Sequence, residues 1–207
     1  MANSAIVLSG GFSSRFGEDK AFVVLGGKPL VKHVLDAVNS MVEEKIVVAG
    51  SKVQASKLVR IAGSDVKVVV DVMDLHCPLV GALTGFREAS GEYSLLLPCD
   101  VPFVSRDVLS FLFDLCVGKA AVIPRWPNCF IEPLQAVYKT SSALKAAENA
   151  LHEGKLTMQA MVDDLRGVRY VSTLVLSQLD ADLRTFFNVN SLVDLKRAEA
   201  MLKRIKD

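Results

Sequence analysis

The chain is poor in the residues that build metal cages and disulfide frameworks. It has four cysteines and three histidines among 207 residues. Cys77, Cys99, Cys116 and Cys129 are widely spaced and form no Cys-x-x-Cys pair. That spacing argues against a zinc site and against a disulfide framework, and reduced thiols are the expectation. His33, His76 and His152 form no His-Glu-x-x-His motif, so no sequence signal for a histidine metal site is present. Charge of one sign is also missing. Lys plus Arg number 24 and Asp plus Glu 23, a formal net charge of +1. No global field favours nucleic acid or an anionic membrane, so any phosphate binding has to come from local residues. No apolar run approaches the ~20 residues of a membrane span. The N-terminus has neither a charged n-region nor a long apolar h-region, and a cytoplasmic location is the expectation. There is no Pro/Gly/Ser linker, low-complexity segment or internal repeat.

What is present is an apolar fraction of 51%, arranged as short β-rich runs alternating with helical patterns. Strands are predicted at 4–9, 45–49, 66–70, 93–97, 120–124, 133–138 and 168–172. Helices are predicted near 29–40, 51–62, 80–89, 105–116, 140–153, 156–165 and 191–206. Pro29 suits a first helical turn, Ser105 and Thr140 suit N-caps, and Gly154 and Gly167 suit helix stops. The alternation predicts a single α/β domain, with a mostly parallel sheet covered by helices on both faces. The less regular stretch 118–139 has room for an antiparallel edge. Sheets of this kind bind ligands outside the carboxyl ends of their strands.

The first such strand end is the most informative segment. Ala5-Ile6-Val7-Leu8 reads as a buried strand and opens into Ser9-Gly10-Gly11-Phe12-Ser13-Ser14-Arg15-Phe16-Gly17-Glu18-Asp19-Lys20. The glycines let the backbone turn sharply and approach a ligand. Backbone N–H groups and the Ser13 and Ser14 hydroxyls suit phosphate oxygens. Arg15 and Lys20 add positive charge, one as a fork and one as a point. The spacing is neither Gly-x-x-x-x-Gly-Lys-Ser/Thr nor Gly-x-Gly-x-x-Gly.

Three further strand ends carry polar groups. Asp71 follows Val68-Val69-Val70, where a carboxylate can accept from ribose hydroxyls or guanine N–H groups, or simply cap a turn. Leu95-Leu96-Leu97-Pro98-Cys99-Asp100-Val101-Pro102 delivers a single carboxylate from an all-apolar strand, with prolines stiffening its exit. Beside a triphosphate that carboxylate needs a bridging cation, and Mg²⁺ fits, since it takes one or two carboxylates plus phosphate oxygens and waters. Cys99 is expected to be a small packing residue. In Asn188-Val189-Asn190-Ser191, alternation places both asparagines on one face if the piece is extended, although asparagines also satisfy turns. Ser191 is expected to cap a last helix whose apolar side carries Leu192, Leu195, Ala198, Met201 and Leu202.

The loop, written Ser-Gly-Gly-x-Ser-x-Arg-x-Gly-x-Asp-Lys-Ala, resembles the opening signature of nucleotidyltransferases that join a nucleoside triphosphate to a phosphorylated acceptor. Within them it is similar to the molybdenum cofactor guanylyltransferase (MobA) branch. Pro98-Cys99-Asp100-Val101-Pro102 matches that branch's Pro-Cys-Asp-x-Pro, and Asn188–Ser191 its Asn-Val-Asn-Thr/Ser. Glu132–Tyr138 resembles a family strand that precedes the acceptor-side helices. At Asp71 the family pattern continues into Gly-Pro-Leu-Ala-Gly, but here Cys77 replaces the first glycine and Val80 the alanine. At Gly50, where some members carry a nucleotide-contacting asparagine, nothing transfers. The resemblance spans nearly the whole chain. It implies a Rossmann-like nucleotidyltransferase fold over residues 1–207, with a nucleotide-binding half to about 104 and an acceptor-binding half from about 105. It implies transfer of GMP from GTP to the phosphate of molybdopterin or molybdenum cofactor, with Mg²⁺ as cofactor and pyrophosphate as leaving group. Arg15, Lys20 and Asp100 are the implied catalytic residues. Leu8, Ser9, Gly10, Gly11, Ser13, Lys20, Asp71 and Asp100 are the implied nucleotide contacts, with Asp100 on the metal. Asn188 and Asn190 are implied near metal and phosphates or at the acceptor. Other cofactor-biosynthesis or acceptor proteins are further implied partners, and nucleic acid and membrane are not. Three alternatives stay open here: a cytidylyltransferase for the same pterin, a sugar- or polyol-phosphate nucleotidyltransferase, and a non-catalytic guanine-nucleotide-binding module. Lys139, Arg125 and Arg169 are available cations on the later half.

Overall fold

Seven apolar segments pair into one sheet, seen here in a computed structural model that describes residues 2–10, 12–13, 18–73, 75 and 77–206. The strands are β1 (Asn3–Leu8), β2 (Glu44–Ala49), β3 (Val66–Val70), β4 (Tyr93–Pro98), β5 (Ala121–Arg125), β6 (Ala136–Lys139) and β7 (Val168–Ser172). Their order is β7-β5-β6-β4-β1-β2-β3. β1 lies between β2 and β4, parallel to both, with Ile6 level with Ile46 and Leu96. β3 continues parallel to β2, and β7 is parallel to β5. β6 runs antiparallel to both neighbours, β4 and β5. Ala5, Ile6, Val7 and Leu95–Leu97 are fully buried, because helices cover both faces of the sheet centre.

The helices are α1 (Leu30–Val38), α2 (Lys52–Ala62), α3 (Pro78–Glu88), α4 (Arg106–Cys116), α5 (Thr140–His152), α6 (Met158–Asp164), α7 (Thr173–Leu176) and α8 (Leu192–Lys206). Strand alternation sends Ala5, Val7, Leu95 and Leu97 into a core with α1, α2 and α4. It sends Ile6, Leu8, Ile46 and Leu96 to the opposite core with α3, α5 and α6. Gly85 lets α3 lie close on β1, since a Cβ there would sit 2.3 Å from Ile6 Cγ2. A third cluster joins Val23, Leu25 and Leu30 to Val189 and Ala198, so the two ends of the chain share one small core. Within it a hairpin of Val24–Leu25 and Lys28–Pro29 turns through Gly26 and Gly27, both at positive φ. Among the described residues no helix is long and apolar enough to cross a membrane.

Several sequence expectations shift. The antiparallel strand is not an edge but an interior strand, and it begins at Ala136 rather than 133. Pro133 has no N–H to give a ladder, and the Gln135 N–H bonds Glu132 O at 3.1 Å in a turn. Thr140 is not a cap. Lys139 occupies the N-cap position, while the buried Thr140 hydroxyl bonds Gly91 O at 2.6 Å and Ser94 Oγ at 2.8 Å. Pro29 is the N-cap of α1 rather than a residue of its first turn, because it closes the hairpin before it. α3 begins at Pro78, two residues early. Leu192 is exposed, since packing of α8 starts one turn later at Leu195. Ser105 does cap α4, accepting from Val108 N, and the Ser191 hydroxyl accepts from Asp194 N at 3.2 Å.

Candidate active site

The carboxyl ends of β1, β2 and β4 open into a cavity of about 330 Å³. Leu8, Ser9 and Gly10 line it from β1, Val48 from β2, and Pro98, Cys99 and Asp100 from β4. Asp71 enters from the end of β3, and Cys77, Pro78 and Gly81 from the start of α3. The β1 and β4 exits are tied together, since Cys99 N bonds Leu8 O at 3.0 Å. Ser9 is held to β2, where its N–H and its hydroxyl both donate to Val48 O, at 3.0 and 2.8 Å. The fold therefore uses both Ser9 donors, and Ser9 shapes the cavity floor. Gly10 and Gly50 meet backbone to backbone, so that a Cβ on Gly50 would stand 3.4 Å from Gly10 Cα. The Asp71 carboxylate lies beside this junction, with its oxygens near Gly10 and Gly81.

Lys20 follows a one-turn 3₁₀ helix signal. The Asp19 carboxylate accepts from Ala21 N at 3.0 Å and starts the turn Lys20–Phe22. From there Lys20 Nζ reaches Asp100 Oδ2 at 3.0 Å, and it also donates to Asn190 Oδ1. Val189 N bonds Asp100 O at 2.9 Å, which lays the 188–190 segment along the β4 exit. Asp100 is 9% exposed, and its Oδ1 has no hydrogen-bond partner among the described residues. One lone-pair set of a buried carboxylate is thus left for a group other than the described residues. Burial, with the charges of Asp100 and Asp19, pushes the Cys99 thiol well above its ordinary range. It is a neutral packing group, as its sequence setting implied.

Lys20, Asp100 and Asn190, expected from separate motifs, therefore meet at one point. Leu8, Ser9, Gly10 and Asp71 line the same cavity. Asn188 is half-buried and makes no side-chain hydrogen bond among the described residues. Gly11 and Arg15 lie outside the described residues, and so does the side chain of Ser13. The family departures are accommodated. Cys77 is the N-cap of α3 with extended backbone at φ −138, which any residue adopts, and Val80 is fully buried. Among the late cations, Arg125 stacks over Tyr170, and Arg169 donates to Leu115 O at 3.1 Å. Both have structural partners. No group of three or more His, Cys, Asp or Glu is arranged for a metal among the described residues.

Sequence reasoning missed Gln54. Its amide nitrogen donates to Ser9 O at 2.7 Å and to Asp19 Oδ2 at 2.5 Å, and its oxygen accepts from Gly50 N at 2.6 Å. The available signal was Ser51-x-x-Gln54, a capping-box spacing at the start of α2. Ser51 does cap α2, but the Gln54 side chain turns to the loop instead.

The MobA-like NTP transferase domain matches residues 5–169 of this chain. The molybdenum cofactor guanylyltransferase of Desulfosudis oleivorans is 32% identical over 203 residues, covering 98% of this chain and 96% of that protein. A probable molybdenum cofactor guanylyltransferase of Methanosarcina mazei is 32% identical over 198 residues, covering 93% and 88%. The crystal structure of molybdopterin-guanine dinucleotide biosynthesis protein A from Archaeoglobus fulgidus superposes with a TM-score of 0.83 at 29% identity, covering 97% of this chain and 99% of that one. The fold extends further: 4-diphosphocytidyl-2C-methyl-D-erythritol synthase of Anaerococcus prevotii shares it at a TM-score of 0.74 with 16% identity. With the sheet order, the strand-end cavity and the Lys20–Asp100 pair in place, these matches make the chain a nucleotidyltransferase of the MobA-like NTP transferase family.

Proposed function

We propose that this protein transfers GMP from GTP to the terminal phosphate of molybdopterin or its molybdenum-loaded form, giving the guanine dinucleotide and pyrophosphate. An acceptor phosphate oxygen bonds to the α-phosphorus of GTP as the bond from that phosphorus to the β-phosphate oxygen breaks. The acceptor is already anionic near neutral pH, so the chain needs no general base. Its task is alignment and the neutralisation of repelling anions. The observation that carries this reading is the meeting of Lys20, Asp100 and Asn190, the first two of which line the strand-end cavity. Lys20 is the fixed cation for the phosphates, and Arg15 is its second. Asp71 and the backbone beside Ser9 and Gly10 read the guanine. The acceptor is taken from the side of residues 105–207.

Mg²⁺ suits this donor set. The Oδ1 of Asp100, without a partner among the described residues, supplies a hard oxygen, and a site with one carboxylate is completed by phosphate oxygens and water. Bound there, Mg²⁺ supplies charge neutralisation to the triphosphate. Asp100 holds it, Asn190 orients Lys20, and Asn188 is a candidate partner for phosphate or acceptor.

The test is pyrophosphate release with GTP, Mg²⁺ and molybdopterin, run in parallel with CTP. Release with GTP, with CTP far slower, is expected, because buried partners built for one base are left unpaired by another. Equal use of CTP removes the guanine assignment, and binding without release returns the protein to a non-catalytic nucleotide-binding module.

A further inference from the structure

We infer that Gln54 is a positioning residue for the transfer reaction, acting on Lys20 through Asp19. The inference rests on the reading that Lys20 serves nucleotidyl transfer. Gln54 is 7% exposed and lies in the first turn of α2. Its amide bonds the two ends of the phosphate loop at once. Ser9, where the loop leaves β1, is held through its carbonyl, and Asp19, where the loop returns, through its carboxylate. The third bond, from Gly50 N, anchors the amide to the β2–α2 junction. An amide is the one side-chain group that donates twice and accepts at the same head. A carboxylate of the same shape has no donor for Ser9 O, and it would face Asp19 as a like charge.

The link to Lys20 is short. Gln54 fixes one Asp19 oxygen, the other Asp19 oxygen accepts from Ala21 N, and that bond starts the 3₁₀ turn carrying Lys20. Lys20 Nζ then reaches Asp100. With Ser9 and Asp19 both held to Gln54, the separation of the two stems is set before substrate arrives. A flexible cation would have to be ordered in each turnover, whereas this one is set in advance. Capping of α2 does not explain the arrangement. Ser51 already accepts from Gln54 N at 3.1 Å, and the side-chain amide adds nothing to that cap.

The experiment is a double-mutant cycle. Gln54→Leu and Gln54→Glu are each made alone and in a Lys20→Ala background. Steady-state pyrophosphate release is measured with GTP, Mg²⁺ and molybdopterin, alongside a thermal melt. In the wild-type background each substitution should lower kcat/KM by about 10–10²-fold, the scale of a misplaced reacting group. In the Lys20→Ala background the same substitution should cost less than about 2-fold, because residues acting through one another are not additive. An equal factor in both backgrounds makes Gln54 a general structural residue and overturns the inference, as does unfolding of both Gln54 variants. Wild-type protein that releases no pyrophosphate overturns instead the reading on which the inference rests.

Discussion

Replacing Lys20 with alanine should affect chemistry, stability and metal response in different directions. The ammonium stands 3.0 Å from Asp100 Oδ2, and the two side chains are 24% and 12% exposed. At an effective dielectric near 20, the gross attraction is about 5.5 kcal/mol. Desolvation of both ions offsets most of it. Losing one partner of a half-buried pair then costs roughly 1–3 kcal/mol, because Asp100 is left without its cation and Asn190 Oδ1 without its donor. For a chain of this size that is a fall in Tm of roughly 2–12 °C. A bare loop cation would give no such fall. Turnover should drop on the order of 10²–10³-fold, as for loss of one charged transition-state donor. Metal response should move the other way. With the positive charge gone from its side, Asp100 attracts a divalent cation more strongly, so Mg²⁺ should raise the Tm of the variant more than that of the wild type. Scanning calorimetry with and without Mg²⁺, beside a pyrophosphate-release assay, reads all three effects. A variant that melts with the wild type, ignores Mg²⁺ and turns over normally would refute the argument at each step.

Three other outcomes are expected. Asp100→Asn should keep the fold but abolish Mg²⁺-dependent pyrophosphate release, since the amide keeps the shape and loses the charge; a wild-type rate with unshifted Mg²⁺ dependence removes the metal role. Gly85→Ala should destabilise by about 2 kcal/mol, since its Cβ would stand 2.3 Å from Ile6 Cγ2 and overpacking at the upper end of about 3 kcal/mol exceeds a helix-propensity gain of about 1 kcal/mol; an unchanged urea midpoint would show that the sheet yields freely. Burial pushes the Glu44 carboxyl up, but hydrogen bonds from Ser4 Oγ, Ser90 N and Ser90 Oγ outweigh it and hold it below its ordinary 4.5. For a lowered carboxyl the contribution is present above the unfolded value and lost as pH falls through the folded one. Urea midpoints should therefore fall more steeply below pH 4.5 in wild type than in Glu44→Gln, and parallel curves would contradict the assignment.

The parts legible in the sequence are those whose cause is local. β1, β2 and β4 are buried on both faces, so they read as unbroken Val/Ile/Leu runs. Asp100 stood out because a lone carboxylate ends such a strand. β6 was misplaced because its start depends on partners elsewhere. Tyr138 aligns with Ser94, while Gln135 leaves the sheet to donate to Thr185 O at 2.7 Å. Thr140 looked like a cap because its tie to Gly91, 49 residues away, has no local trace. Gln54 escaped notice for the same reason. Its partners Ser9 and Asp19 lie 45 and 35 residues away, and only a capping-box spacing marked it. α7, four residues long, has too few positions to show a period.

The small core shared by the two chain ends sets a schedule for biosynthesis. Lys20 leaves the ribosome early, and its partner Asn190 lies 170 residues further on. At about 5–20 residues per second, roughly 10–30 s separate the two. Within that interval β1 to β4 have been made and can pair, while Val23, Leu25 and Leu30 still wait for Val189 and Ala198. The strands that frame the strand-end cavity are therefore made before Lys20 is fully seated. Seating that lysine waits for Asn190, so a chain stopped before Asn188 keeps the strands of the sheet yet has neither Asn190 nor the far half of the cluster beneath the hairpin.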